Sequence, residues 1–342
     1  MILKMNNKPD IFSVAKAAGV SPSTVSRAFN HPDLVKPNTR KKIDRVVRRL
    51  GYIRNRAAQT IHGIRSGTIG LIVPTIDHAI FAEVVQAFSE AVAENGFTIL
   101  LATHGYDLQQ EYSVLRKLLE HRVDGVALIG TEHRQETYEL LEQQGIPAII
   151  IWNYDESAPL PCVGANNIEA GKLIAQHLVD SGHRKIALIF PPLSGNDRAA
   201  DRYAGVKQVL EASGIEVSPH WSVESPYSVS AAKSAILPVL DNPNRPTAVL
   251  CGNDILAWGV INCARSLDLD VPSSLSVLGI GHFKAFQDME PSLTTVRLPA
   301  HRIGSMAGTT MSQAITQPEE AVTHTFCPSE LVIGKTLMPL EG

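Results

Sequence analysis

Between Ser21 and Asn30 the sequence reads SPSTVSRAFN, placing four hydroxyls, an amide and a guanidinium within ten residues. With Val25, Ala28 and Phe29 turned inward at helical spacing, the outward face consists of Pro22, Ser23, Thr24, Ser26, Arg27 and Asn30. Hydroxyls and amides of this kind contact phosphates, and a guanidinium on such a face can pair bidentately with guanine in a major groove. The chemistry indicated is recognition of nucleic acid. Charge agrees: residues 1–65 hold 14 of the 31 Lys and Arg but only three of the 34 Asp and Glu, Asp10, Asp33 and Asp44, a balance of +11 against −14 for the remainder.

The elements that must carry this face are legible around it. Ile11, Val14, Ala15 and Ala18 predict a helix stopped by Gly19, and Ser21 is an N-cap with Pro22 at the first helical position. A third helix, from about Pro37 to Leu50, closes a small core through Ile43, Val46, Val47 and Leu50.

Beyond Gly67 the chain alternates apolar runs with helical patterns: TIGLIVP, Phe81 to Glu94, FTILLA, Leu108 to Glu120, GVALIG, Thr137 to Gln144 and PAIIIW. A second series follows Asn166: KIALIF, Asp197 to Ala212, Ser228 to Leu240, TAVLCG, Ile255 to Ser266 and SLSVLGIG. Such βα repeats predict two doubly wound parallel sheets, with ligands bound beyond the carboxyl ends of the strands. Enzyme signatures are absent. No GxGxxG opens a helix after a strand, Gly279 and Gly281 give only a fragment, there is no Walker lysine, and the SxxK from Ser230 to Lys233 stands alone. His183, in a turn before a strand, is expected to bond locally, and no histidine spacing suggests a metal site. The four cysteines, Cys162, Cys251, Cys263 and Cys327, form no CxxC pair and are read as buried free thiols. No apolar stretch is long enough for a membrane span and no signal-peptide pattern opens the chain, so a cytoplasmic protein without cofactor or metal is expected.

Three ordered motifs, GVSPSTVSRAFN, VKPNTRKKI and LGYIRNRAAQTI, followed by NNIEAGKLIAQHLVDSGHRKIAL, DRYAG, CGNDILAWG and PSLTTV, resemble the lactose-repressor (LacI/GalR) family over nearly the whole chain. The resemblance implies an all-α helix-turn-helix head over residues 1–54, a hinge helix or linker over 55–66, and over 67–342 an α/β core like the periplasmic binding proteins, which binds ligand and dimerises. One lobe would comprise about 67–165 and 296–325, the other about 166–295 and 326–342, with crossovers near 165, 295 and 325. Pro22, Ser23 and Arg27 would then face bases and Thr24 and Ser26 hold phosphates, Ser21 and Asn30 completing the surface. The hinge, Asn55 to Ile64, would become helical on DNA, with Asn55, Arg56, Ala58 and Ile61 in contact. Ile61 stands where the family has a leucine wedge, Arg54 where proline is common, and Lys36 where a hydroxyl cap is usual.

Strand ends matched to family positions nominate His78, Phe81, Trp152, Asn153, Arg202, Asp254 and His282 for a small effector. Phe81 and Trp152 are equally read as packing, and Asp254 as the N-cap of the following helix. Many sugar-binding members of the family carry an aspartate two residues after the glycine of the SVLG-type strand, where this chain has Gly279, Ile280, Gly281, His282. The expected effector is a small sugar-like compound, a sugar or a sugar acid; with that carboxylate missing and Arg202 retained the balance favours the acid, while a neutral sugar could be bound through Asn153 and the histidines. The function implied is a sequence-specific, effector-controlled transcriptional regulator, in all expectation a repressor, acting on near-palindromic operator DNA. The absence of leucine heptads after LVIGKTLMPLEG favours a homodimer. A transporter's solute-binding protein would share the core but have no use for the basic head.

Overall fold

The computed structural model describes residues 8–54 and 65–340. The chain divides into two compact units, 1–66 and 67–342. Asn55, Arg56, Ala58 and Ile61, with the rest of the expected hinge up to Ile64, lie outside the described residues.

The head holds three α-helices among its described residues, α1 (Ile11–Ala18), α2 (Pro22–Asn30) and α3 (Pro37–Leu50). Asp10 caps α1 by accepting the Ser13 N–H at 2.7 Å, and Gly19 ends it in the left-handed region. Ser21 caps α2 through the Thr24 N–H at 3.1 Å, whereas Lys36 makes no side-chain cap for α3. Val14, Ala15, Ala18, Val25, Ala28, Val35, Ile43 and Val46 form the buried core. Burying these short stripes is what holds three helices that would be unstable alone.

The core unit contains two six-stranded sheets. Its first lobe takes β1 (Thr68–Val73), β2 (Thr98–Thr103), β3 (Gly125–Ile129), β4 (Ala148–Asn153), β5 (Cys162–Ala165) and β11 (Thr325–Phe326), in the order β11-β5-β4-β3-β1-β2. Its second lobe takes β6 (Ile186–Phe190), β7 (Ser222–Glu224), β8 (Ala248–Cys251), β9 (Ser276–Gly281), β10 (Thr294–Arg297) and β12 (Glu330–Val332), in the order β12-β10-β9-β8-β6-β7. All pairs are parallel except β10 with β12. The chain passes between sheets after β5, after β10 and after β11.

Between the strands run α4 (Ala79–Glu94), α5 (Leu108–Glu120), α6 (Gln135–Gln144), α7 (Asn167–Asp180), α8 (Asp197–Ala212), α9 (Val229–Leu240), α10 (Asp254–Ser266) and α11 (Ala300–Thr316). Helix α11 follows a strand of the second sheet yet packs on α4 of the first lobe. Strands β3, β6, β8 and β9 are buried on both faces, which is why they read as continuous apolar runs. The four cysteines are free and buried. His183 does not bond locally: its ring nitrogens meet Thr247 Oγ1 at 2.9 Å and the Met338 carbonyl at 3.1 Å, tying together segments far apart in sequence. Among the described residues no helix is long and apolar enough to cross a membrane, and no cluster of His, Cys, Asp and Glu could hold a metal.

Candidate functional site

On α2, Val25 and Ala28 are buried, so the opposite face is turned outward. Ser21, Ser23 and Arg27 are exposed there, and Pro22, Thr24, Ser26 and Asn30 half-buried. The Ser21 hydroxyl lies 2.8 Å from those of Ser23 and Thr24, and Asn30 Nδ2 donates to Ser26 Oγ at 3.3 Å. Arg54 donates to Asn30 Oδ1, with its guanidinium 5.9 Å from the Phe29 ring centroid, so this departure from the family pattern braces the end of α2. The arrangement is a rigid helix presenting short donors around one exposed guanidinium.

In the core, a cavity of about 30 Å³ lies between the two sheets, lined by His78, Phe81, Tyr106, Trp152, Arg198, Arg202 and Tyr227 among others. It contains four of the seven residues nominated from sequence: His78, Phe81, Trp152 and Arg202. Phe81 and Trp152 meet edge to face at 6.1 Å between centroids, so each is at once a packing residue and a cavity wall. His78, Tyr106 and Tyr227 form an aromatic partition. The His78 ring stands edge-on to Tyr227 at 4.8 Å, and the Tyr106 hydroxyl lies 3.3 Å from His78 Nδ1. Beyond the partition is a more open chamber of about 340 Å³, lined by the same three residues with Pro191, Pro192, Ser194, Asn196 and Pro226. Burial lowers the pKa of His78 below its ordinary value and raises that of Tyr106, so both are neutral near pH 7.

The electrostatics centre on two guanidiniums from α8. Arg202 is 6% exposed, donating to Asn167 Oδ1 at 3.1 Å and to the Tyr227 hydroxyl at 3.4 Å. Its Nε has no hydrogen-bond partner, and it makes no ion pair among the described residues. Burial pushes its pKa down, yet a guanidinium keeps its charge, so a cation without a direct ion-pair partner, though within the field of Asp197, Asp201 and Asp254, faces the cavity. Arg198 does have a carboxylate, bonding Asp197 at 2.6 Å.

Three nominated residues lie elsewhere. Asn153 is buried away from the cavity, donating to Asp197 Oδ2 at 3.1 Å. Asp254 is not the N-cap of α10; Asn253 is, accepting from the Leu256 N–H at 3.0 Å, and Asn253 also lines the cavity. The Asp254 carboxylate instead accepts from Thr295 Oγ1 at 2.7 Å and the Phe283 N–H at 3.0 Å, while burial raises its pKa to about 6. Asp254 and His282 line a separate small cavity, and His282 Nδ1 accepts from Arg297 Nε at 3.0 Å.

At Gly281 the backbone has φ 138°, and a Cβ would fall 2.1 Å from a Phe283 ring carbon. Phe283 thus occupies the space a side chain at position 281 would need, and contributes an apolar wall to the cavity. Sequence reasoning missed Arg198, Tyr106, Tyr227, Asn253 and Phe283. Tyr106 follows a recognisable strand and was open to the same strand-end rule, whereas Tyr227 follows the three-residue strand β7, which leaves no pattern.

Comparison with known proteins agrees with this division of labour. Residues 10–55 match the family model for bacterial regulatory proteins of the lacI family, and residues 175–337 a periplasmic binding protein-like domain. The chain is 30% identical over 297 residues to catabolite control protein A of Priestia megaterium, covering 87% of this chain and 90% of that protein. It is 30% identical over 312 residues to the HTH-type transcriptional repressor PurR of Proteus mirabilis, covering 91% of each. Among solved structures, the lac repressor dimer bound to operator and the anti-inducer ONPF superposes with a TM-score of 0.85 at 25% identity, covering 97% of this chain and all of that one. A CelR–cellobiose complex gives 0.69 at 25% identity over 96% of this chain and 99% of that one. These relatives are regulators, not enzymes, and the chain accordingly belongs to the lacI family of bacterial regulatory proteins: it is a DNA-binding transcriptional repressor under small-molecule control.

Proposed function

We propose that this repressor acts as a homodimer on near-palindromic operator DNA and that its affinity is set by a sugar-like anion, such as a sugar acid, held between the two core lobes. Arg202 carries the reading. A buried guanidinium with no ion-pair partner among the described residues matches a carboxylate or phosphate bidentately, and an anion there would relieve the cost of its desolvation. The acidic side chains that would favour a neutral polyol are absent from the cavity wall, because Phe283 fills the space at Gly281 and Asp254 is bound elsewhere. Phe81, Trp152 and Tyr227 offer apolar faces for the C–H side of a sugar ring. Ser21, Pro22, Ser23, Thr24, Ser26, Arg27 and Asn30 are assigned to DNA, a twofold dimer supplying the second half-site that one head lacks.

Calorimetry with matched pairs, an aldose and its aldonic acid, tests the effector class on the wild type and on Arg202→Ala. Acids are expected to bind the wild type and to lose at least tenfold in affinity on the variant. Tight binding of neutral sugars alone, unchanged by Arg202→Ala, would overturn the reading.

A further inference from the structure

Asp197 opens α8 in the second lobe, but half of its carboxylate is held by the first. Its Oδ2 accepts from the Thr131 N–H at 2.6 Å, Thr131 Oγ1 at 3.1 Å, the Glu132 N–H at 3.2 Å and Asn153 Nδ2 at 3.1 Å. Its Oδ1 turns back into its own lobe, to the Arg198 N–H at 2.8 Å and Arg198 Nη1 at 2.6 Å. Burial acts to raise the pKa of this carboxyl, yet Arg198 and these backbone donors hold it below the ordinary value. The charge is therefore retained and its hydrogen bonds are charge-assisted.

The first-lobe side of the contact is itself braced. Thr131 and Glu132 belong to the loop between β3 and α6, where the Tyr138 hydroxyl donates to the Thr131 carbonyl at 3.0 Å. His133 spans the same loop, with Nε2 2.8 Å from the Gly130 carbonyl and Nδ1 2.8 Å from Glu111 Oε1. At Gly130, φ 95°, a Cβ would fall 2.4 Å from Arg198 Nη1 and 2.8 Å from Asp197 Oδ2, so the two second-lobe side chains lie directly against the bare backbone of the first lobe.

We propose that Asp197 is the latch holding the two lobes together, with Arg198 shared between the latch and the effector cavity. Opening the lobes breaks the four first-lobe contacts of Asp197 as a group, together with the 3.5 Å contact of Arg198 Nη1 to the Ile129 carbonyl. It does not strand a bare charge, because Arg198 moves with Asp197 and keeps it compensated. A carboxylate bound from one side only would be a permanent staple, whereas one bound from both sides gives two discrete arrangements of low energy, which is what a switch needs. Arg198 also lines the cavity, so an occupant that takes its guanidinium changes the balance of the latch. The inference concerns how the core moves and holds for whichever small molecule the cavity takes.

The test uses the full-length protein without added small molecule, measuring amide exchange and small-angle X-ray scattering. Asp197→Asn should raise exchange at Thr131 and Glu132 roughly tenfold or more and enlarge the radius of gyration, with the protection of α8 retained. Thr131→Val combined with Asn153→Leu removes two first-lobe donors while leaving Asp197 and α8 intact, and should give a smaller change at the same amides. Arg198→Met deletes the Arg198 Nη1 contact to the first-lobe Ile129 carbonyl at 3.5 Å and leaves the buried Asp197 carboxylate without its guanidinium, and should also speed exchange there. Unchanged exchange and scattering in Asp197→Asn, or slower exchange in Arg198→Met, would overturn the latch.

Discussion

Replacing Arg202 by methionine separates what this side chain does for stability from what it does for binding. Arg202 is 6% exposed, and its charge is offset by two hydrogen bonds, to Asn167 and Tyr227, with no ion pair among the described residues. Substituting buried charged groups with apolar side chains of similar volume stabilises by about 1–4 kcal/mol where the charge is poorly compensated. Against this, Asn167 Oδ1 loses its donor, at a cost of about 1–1.5 kcal/mol, while the 3.4 Å contact to Tyr227 is long enough to matter little. The balance runs from about no change to a gain of about 3 kcal/mol, or a rise in Tm of up to about 6–12 °C for a core of this size. Differential scanning calorimetry of the wild type and Arg202→Met should therefore show the variant melting no lower than the wild type. An aldonic acid should stabilise the wild type and leave the variant unmoved. A fall of several degrees in the variant would mean that the guanidinium is compensated in the folded core, and the argument that it awaits an anion would fail.

Arg27→Ala should cost about 1–3 kcal/mol in gel-shift affinity for operator while leaving binding to random DNA nearly unchanged. Equal weakening on both would make Arg27 a phosphate contact. Gly281→Ala should destabilise by about 1–3 kcal/mol in urea unfolding, since φ 138° and the Phe283 ring both oppose a Cβ; an unchanged midpoint would show that Phe283 moves freely. Asp254 has a folded pKa of about 6 against an ordinary 3.8, so the folded state binds the extra proton and stability falls as pH rises from about 4 to 6. Asp201, raised to about 6 by burial and by Asp197, acts with the same sign, whereas the half-buried His78 and the buried His104 and His183, all lowered, act oppositely below pH 6.5. Asp254→Asn should thus gain about 3 kcal/mol relative to wild type between pH 4 and pH 7, beyond any constant offset, and parallel stability curves would refute it.

The fold was legible wherever burial is two-sided or strongly periodic. TIGLIVP, GVALIG, PAIIIW, KIALIF, TAVLCG and SLSVLGIG mark six strands within a residue or two of their observed bounds, because residues covered on both faces must all be apolar. Strand β5, with four residues, and β11 and β12, with two and three, are too short for any period to show. Helices α4 and α6 begin two residues before the expected starts at Phe81 and Thr137; α6 opens on the polar Gln135 and Glu136, whereas the first turn of α4, from Ala79, is apolar throughout and shows no period that marks its start. Strand ends and family positions together led to His78, Phe81, Trp152 and, through the DRYAG match, Arg202, but they could not say which of two adjacent side chains faces the cavity. Trp152 does and Asn153 does not. Nor could they show that Asp254 would be taken by partners 29 and 41 residues away. Such capture depends on tertiary approach and leaves no local trace.

The aromatic partition of His78, Tyr106 and Tyr227 has a bearing on the concentration at which the regulator responds. A cavity of about 30 Å³ holds one or two water molecules and cannot hold a six-carbon acid, so binding requires the partition to swing toward the chamber behind it. The measured affinity is then the intrinsic affinity reduced by the fraction of molecules in the admitting arrangement. A substitution that loosens the partition by about 1.4 kcal/mol moves the response threshold about tenfold without altering a single contact to the effector. If Arg202 is the anion-binding group proposed above, sensitivity and chemical selectivity would reside in different side chains: the threshold would be set through His78, Tyr106 and Tyr227, and the identity of the signal through Arg202.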